Sequence, residues 1–250
     1  MSSIVSAFSD AFSERLSFLK IAIYAIPVYF CARLFMAGKM DMLYICGTLT
    51  SILLFILMTS GINNVRENKR EILTLDPVRL LSTFIKTSIV VVPHLLFWSA
   101  IGYGITKIII LPDDTANLIF NIVVWVIIQT MVFTAYLAFA KYLDIRDGFN
   151  LQIIFASCVD VFAALFFYVL QMIIVIPVLI GPFAYAFWLL HVPFDHWFFI
   201  ILCSLALVAS VSISANYFAQ VSYEYIVMSN DRKDDYQITK LVDEMDTNKN

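Results

Sequence analysis

NLIFNIVVWVIIQTMVFTAYLAFA, residues Asn117–Ala140, runs for 24 residues without Asp, Glu, Lys, Arg or His. At ~1.5 Å per residue a helix of this length reaches ~36 Å, more than the ~30 Å hydrocarbon core of a bilayer. Its apolar residues are continuous rather than alternating, which excludes a barrel strand. Inside lipid every backbone N–H and C=O must be paired within the segment, so the run is read as a transmembrane helix.

Five further runs share this character: 21–38, 42–61, 87–107, 165–189 and 197–222. The whole chain follows suit. Of 250 residues, 61% are hydrophobic and 14% charged, where soluble domains carry about a quarter charged residues. The expected fold is all-α: a polytopic membrane protein whose six-span domain covers 20–227. Gly38–Asp41, Pro112–Asp114 and His191–His196 are short enough to be turns.

The flanks differ. Within 1–19, Ile4, Ala7, Phe8, Ala11, Phe12, Leu16 and Leu19 recur at helical spacing, which predicts an amphipathic helix lying along the membrane surface. The first base is Arg15, so the basic leader of a signal peptide is missing. Residues 228–250 form an acidic tail in which Ile238, Leu241, Val242 and Met245 make one apolar stripe.

Orientation follows from the bases between spans. Of the 16 Lys and Arg, 13 fall on one side, and only Arg33, Lys39 and Lys107 fall on the other. Six spans put both termini on the basic side, so the N- and C-termini are expected in the cytoplasm. A bacterial inner membrane suits this arrangement. The net charge of −3 and the lack of a basic stripe exclude a nucleic-acid partner. The cysteines Cys31, Cys46, Cys158 and Cys203 stand singly, without metal-ligand spacing.

One phrase recurs. DAFSERLSFLKIAIYAIP (10–27), DPVRLLSTFIKTSIVVVP (76–93) and DVFAALFFYVLQMIIVIP (160–177) align without gaps. They share Asp10, Asp76 and Asp160 in the first column and Pro27, Pro93 and Pro177 in the last. The acids are expected to cap helices on the cytosolic side, Lys20 and Lys86 to snorkel to the headgroups, and the prolines to bend the spans. Three tandem kinked hairpins would result, with 151–163 running along the interface before the fifth span. In outline this resembles the mitochondrial carriers. Their motif needs an acid two residues after the proline and a base three further on, and here those positions hold Tyr29 and Ala32, Leu95 and Trp98, and Leu179 and Pro182. The charge pairs that gate such carriers are missing, which excludes membership.

Residues with chemical potential are few. His94 follows a kink proline, where a freed carbonyl is available to accept its N–H. Gln129 lies mid-span, and Gln171, Asn216 and Gln220 are further polar groups suited to interhelical hydrogen bonds. Ala206, Ser210 and Ser214 form a small-residue face. His191, Asp195 and His196 match no metal pattern. No catalytic constellation is found, and no cofactor is implied. Two functions fit: a non-catalytic scaffold or accessory subunit whose cytosolic face binds a membrane or cytosolic protein, or a small transporter of an apolar or lipidic solute along a pseudo-threefold axis near Pro27, Pro93, His94, Gln129 and Pro177. In a cysteine-replaced chain, single cysteines at 113 and 195 should react with an impermeant maleimide only from outside the cytoplasm, and one at 69 only from within; the reverse pattern inverts the orientation.

Overall fold

A computed structural model describes residues 4–13, 16–67, 69, 71–111, 113–191, 193 and 195–226. The described chain is helical throughout: α1 (Ile4–Ser13), α2 (Ser17–Met36), α3 (Met40–Arg66), α4 (Pro77–Ile108), α5 (Asp114–Ala140), α6 (Ile145–Gly148), α7 (Leu151–Leu189) and α8 (Trp197–Tyr225). Six of these, α2 to α5, α7 and α8, are long and apolar enough to cross a membrane. The tail expected at 228–250 lies outside the described residues.

The ends of α2, α4 and α7 and the starts of α3, α5 and α8 lie at one end, here called the turn end. The opposite, basic end carries Arg66, Arg79, Lys141 and Arg146. Each of α2, α4 and α7 packs against the helix that follows it across a turn. Gly38 makes the α2–α3 turn with φ +68°, a left-handed conformation that glycine adopts without penalty. Helix α8 is the hub and touches α1, α2, α3, α5 and α7.

Burial is lopsided. In α3 the buried residues run from Ile56 to Asn64, in α5 from Ile128 to Ala140, and in α8 they thicken from Val208 to Ser222. The basic-end halves of these three helices therefore form the core, while their turn-end halves are more exposed. Small residues permit this close approach, as in other membrane bundles. A Cβ built on Gly61 would lie 2.7 Å from the Cβ of Ala215. The tight face of α8 is formed by Ser204, Ser212, Ala215, Ala219 and Ser222, which are all buried. It is not the Ala206–Ser210–Ser214 stripe picked out in the sequence, of which only Ser214 is buried.

Three local expectations are corrected. Asp10 lies inside α1 rather than at a helix start; α1 ends near residue 13 and α2 begins at Ser17. Asp160 is exposed in the middle of α7, which is one uninterrupted helix from Leu151. Residues 151–163 contain no glycine or proline to break it, so no separate interfacial segment forms. At ~1.5 Å per residue α7 spans ~58 Å, so its first turns extend past the ~30 Å hydrocarbon core. The true cap is Asn150, whose side chain accepts from the Ile153 N–H. Thirdly, Lys20 does not snorkel. It is buried and pairs with Glu71 at 2.9 Å, pinning the 71–76 loop to α2.

Gly61→Val should lower the melting temperature of the detergent-solubilised protein, costing about 1–3 kcal/mol through overpacking. Adding Ala215→Gly should recover part of the loss, because it clears the atom that the new side chain meets.

Candidate functional site

At the basic end, helix termini are packed together, and their free backbone groups need partners. Asp76 supplies the first, capping α4 by accepting from the Val78 and Arg79 N–H groups, with Pro77 at the first helical position. Arg79 then donates to Asn63 Oδ1 at 3.1 Å and to Asn64 Oδ1. Asn63 donates onward to the Lys141 carbonyl at 3.3 Å, and Asn64 to the Ile72 carbonyl at 3.2 Å. Lys141, itself buried, donates from Nζ to the Ile226 carbonyl at 3.3 Å. Ser157 of α7 donates to the neighbouring Tyr225 carbonyl at 2.9 Å. A lysine against the carboxyl end of α8 also meets the negative pole of that helix.

The rim of this interlock is aromatic and charged. The Arg66 guanidinium lies 4.7 Å from the Tyr223 ring centre and 5.8 Å from that of Tyr142. Burial raises the Glu67 carboxyl, but hydrogen bonds from Lys69 and Asn63 and the charges of Lys69 and Arg79 outweigh it, and the group titrates below its ordinary range. Burial, and then the negative charge of Asp144, push the Asp147 carboxyl up against the opposing pull of Lys141.

His94 belongs to this end. Its ring is buried and stacked on Phe149, with centres 5.0 Å apart. Nε2 bonds the Gly148 carbonyl at 2.8 Å, and Nδ1 accepts from the Trp98 indole at 3.1 Å. An indole nitrogen only donates, so Nδ1 is unprotonated and Nε2 carries the hydrogen. The partner is thus a carbonyl 54 residues away, not the one freed by Pro93. The α6 turn sits close enough on α4 that a Cβ on Gly148 would meet Val90 at 2.6 Å.

The other sequence candidates are dispersed. Pro93 and Pro177 are exposed on the bundle surface, and Pro27 is partly so. None of the three lines the cavities found between the helices. Asp10 accepts from Asn216 at 3.5 Å, and Gln220 bonds Asn216 and Ser6, which together fasten α1 to α8. His191 turns back on the Leu189 carbonyl, and His196 caps α8 through the Phe198 N–H. Among the described residues no three His, Cys, Asp or Glu side chains gather as a metal site.

Gln129 is different, because it lines a broad cleft. This cleft, about 830 Å³, runs along α5 between Leu95 of α4 and Phe166 of α7. Phe55 of α3, stacked on Tyr136 with ring centres 5.0 Å apart, closes its basic end. The Tyr136 hydroxyl is hydrogen-bonded to Thr59 at 3.0 Å. Asn121 and Trp125, which the sequence reading passed over, lie on the same wall as Gln129. They follow the i, i+4, i+8 spacing of one helix face, and that spacing is the signal that would have found them. A smaller apolar cleft of about 470 Å³ lies over α8 between α2 and α7.

No protein-family model, curated protein or solved structure matches this chain.

A carboxyl raised in the fold stabilises most when protonated. That contribution is complete below the unfolded pKa of about 3.9 and is lost as pH rises through the higher folded value. Asp147→Asn should therefore raise the melting temperature at pH 7. The gain should stay below about 1 kcal/mol, because solvent screens a partly exposed group, and should vanish near pH 3.

Proposed function

We propose that this chain is a non-catalytic scaffold or accessory subunit of a bacterial inner membrane, built of three tandem kinked hairpins. Its cytosolic face, the basic end, binds a protein partner. The observation that carries the reading is the interlock itself: the basic end is filled, and Arg79, Asn63, Asn64 and Lys141 are spent on one another and on neighbouring carbonyls. Tyr136 and Tyr217 are about 2% and 1% exposed at its centre, and Tyr217 donates to the Ala164 carbonyl at 3.1 Å. A solute passing along a central axis would have to break these contacts, which weighs against the transporter reading. His94 spends both ring nitrogens on protein partners, the Gly148 carbonyl and the Trp98 indole.

A rigid end still offers an outer surface. Tyr142, Tyr223, Lys69 and Arg146 are exposed there, and α8 ends on the same side. Aromatic and arginine side chains held in place lose little entropy on binding. Cytoplasmic orientation is supported by the 13 bases on this side against three on the other. The hairpin repeat is supported by the recurring proline column and by the convergence of Arg66, Tyr142 and Tyr223, one from the end of each returning helix.

Affinity purification from native membrane should recover a specific protein with the wild-type chain. Lys69→Gln with Arg146→Glu should reduce its recovery at least tenfold while leaving the melting temperature within 4 °C or so, since losing an exposed ion pair usually costs under about 1 kcal/mol. Equal recovery with the double variant, or solute uptake by proteoliposomes holding the protein alone, would reject the scaffold reading.

A further inference from the structure

Arg66 closes α3 at the basic end, and its guanidinium is held in place without an anion. Its carbon lies 4.7 Å from the Tyr223 ring centre and 5.8 Å from that of Tyr142. Nη2 donates to the Tyr142 hydroxyl at 3.4 Å. Other bases of this end are answered: Lys20 by Glu71, Lys69 and Arg79 by Glu67, and Lys141 by the Ile226 carbonyl. Among the described residues no carboxylate pairs with Arg66. The next residue, Glu67, is turned to Lys69, Arg79 and Asn63 instead. Arg66 Nε is buried and accepts no protein partner. Nη1 has no partner among the described residues either, but it is reachable from outside.

Depth and chemistry narrow what completes this cation. Arg66, Tyr142 and Tyr223 fall just past the ends of the apolar runs 42–61, 117–140 and 197–222. At ~1.5 Å per residue they lie within ~8 Å of the hydrocarbon edge, in the headgroup layer. An arginine fork matches the oxygens of a phosphate, and one already clamped by two rings loses little further freedom on binding. We infer that Arg66 is a binding site for one phosphate ester group, carried by an anionic lipid head or by a small phosphate from solution. Nη1 supplies a charge-assisted hydrogen bond, and the exposed Tyr223 hydroxyl, on the ring beside it, supplies a neutral one. A choline-bearing head brings its own cation against Arg66, so a head with net negative charge is preferred. The site does not rest on the scaffold reading, because it is read on the purified chain with no partner present.

The test titrates the full chain in neutral detergent with dioleoylphosphatidylglycerol, dioleoylphosphatidylcholine or glycerol 3-phosphate, and counts bound molecules by native mass spectrometry. The first phosphatidylglycerol should bind about tenfold more tightly than phosphatidylcholine, the scale of one charged hydrogen bond. Arg66→Gln should remove that preference and Arg66→Lys should keep part of it. Tyr223→Phe should weaken it about threefold, and Lys86→Gln, on another helix, should leave it intact. Glycerol 3-phosphate bound by the wild type and not by Arg66→Gln, with no preference between the lipids, supports the site and assigns its ligand to solution. Equal binding of both lipids without glycerol 3-phosphate uptake means that Arg66 is completed from within the chain, and overturns the inference. A preference undiminished in Arg66→Gln overturns it too. Should Arg66→Gln fail to fold, unchanged binding in both Arg66→Lys and Tyr223→Phe does the same.

Discussion

A helix end packed against other helix ends has carbonyls that neither water nor its own backbone can satisfy. Everything at the basic end of this bundle answers that constraint. The Lys141 carbonyl at the end of α5 is met by Asn63, and the Tyr225 and Ile226 carbonyls at the end of α8 by Ser157 and Lys141. Arg79 fixes the two asparagines in place from the start of α4. Side chains from α3, from the end of α5 and from α7 thus finish helices other than their own, and none of these ends is complete without its neighbours. This interdependence explains why burial concentrates here. The small residues Gly61 and Ala215 bring the backbones close, and that closeness creates the demand which the polar groups then satisfy.

The same constraint shapes the other half. Beyond the locked end, α4 and α5 stay close, with Gly102 against Ile128, and the cleft lies where α7 stands off this pair. Rigidity at one end and access at the other are two results of one packing asymmetry.

The six spans were legible because an apolar run long enough to cross lipid has no other stable fate, and each predicted range falls inside or beside an observed helix. Asp76 was legible as a cap, since Pro follows it at the first helical position. Asp10 and Asp160 looked alike in the alignment but occupy the interior of α1 and of α7. A shared column of acids cannot show where a helix begins unless its neighbours stop the helix there. Asn150 ahead of an unbroken apolar run was the better signal, obscured by the expectation that a span stops at about 25 residues. The interlock was not legible at all. Asn63 and Lys141 are 78 residues apart, and periodicity within one helix says nothing about which carbonyl another helix will present.

Helices α2 and α7 contain 20 and 39 residues, and both cross the same bilayer. The shorter fits a core of ~30 Å almost upright, so the longer must lean or protrude. Helix α4, with 32 residues, is under a similar obligation. These two longest helices are the side walls of the cleft, whereas its back, α5, is closer to the bilayer's own length. Tilt is how a membrane helix absorbs excess length, so a thinner bilayer would lean the walls further than the back. The width of the cleft is in this way tied to membrane thickness, a mechanical variable that acts on the lateral opening and leaves the locked end unmoved.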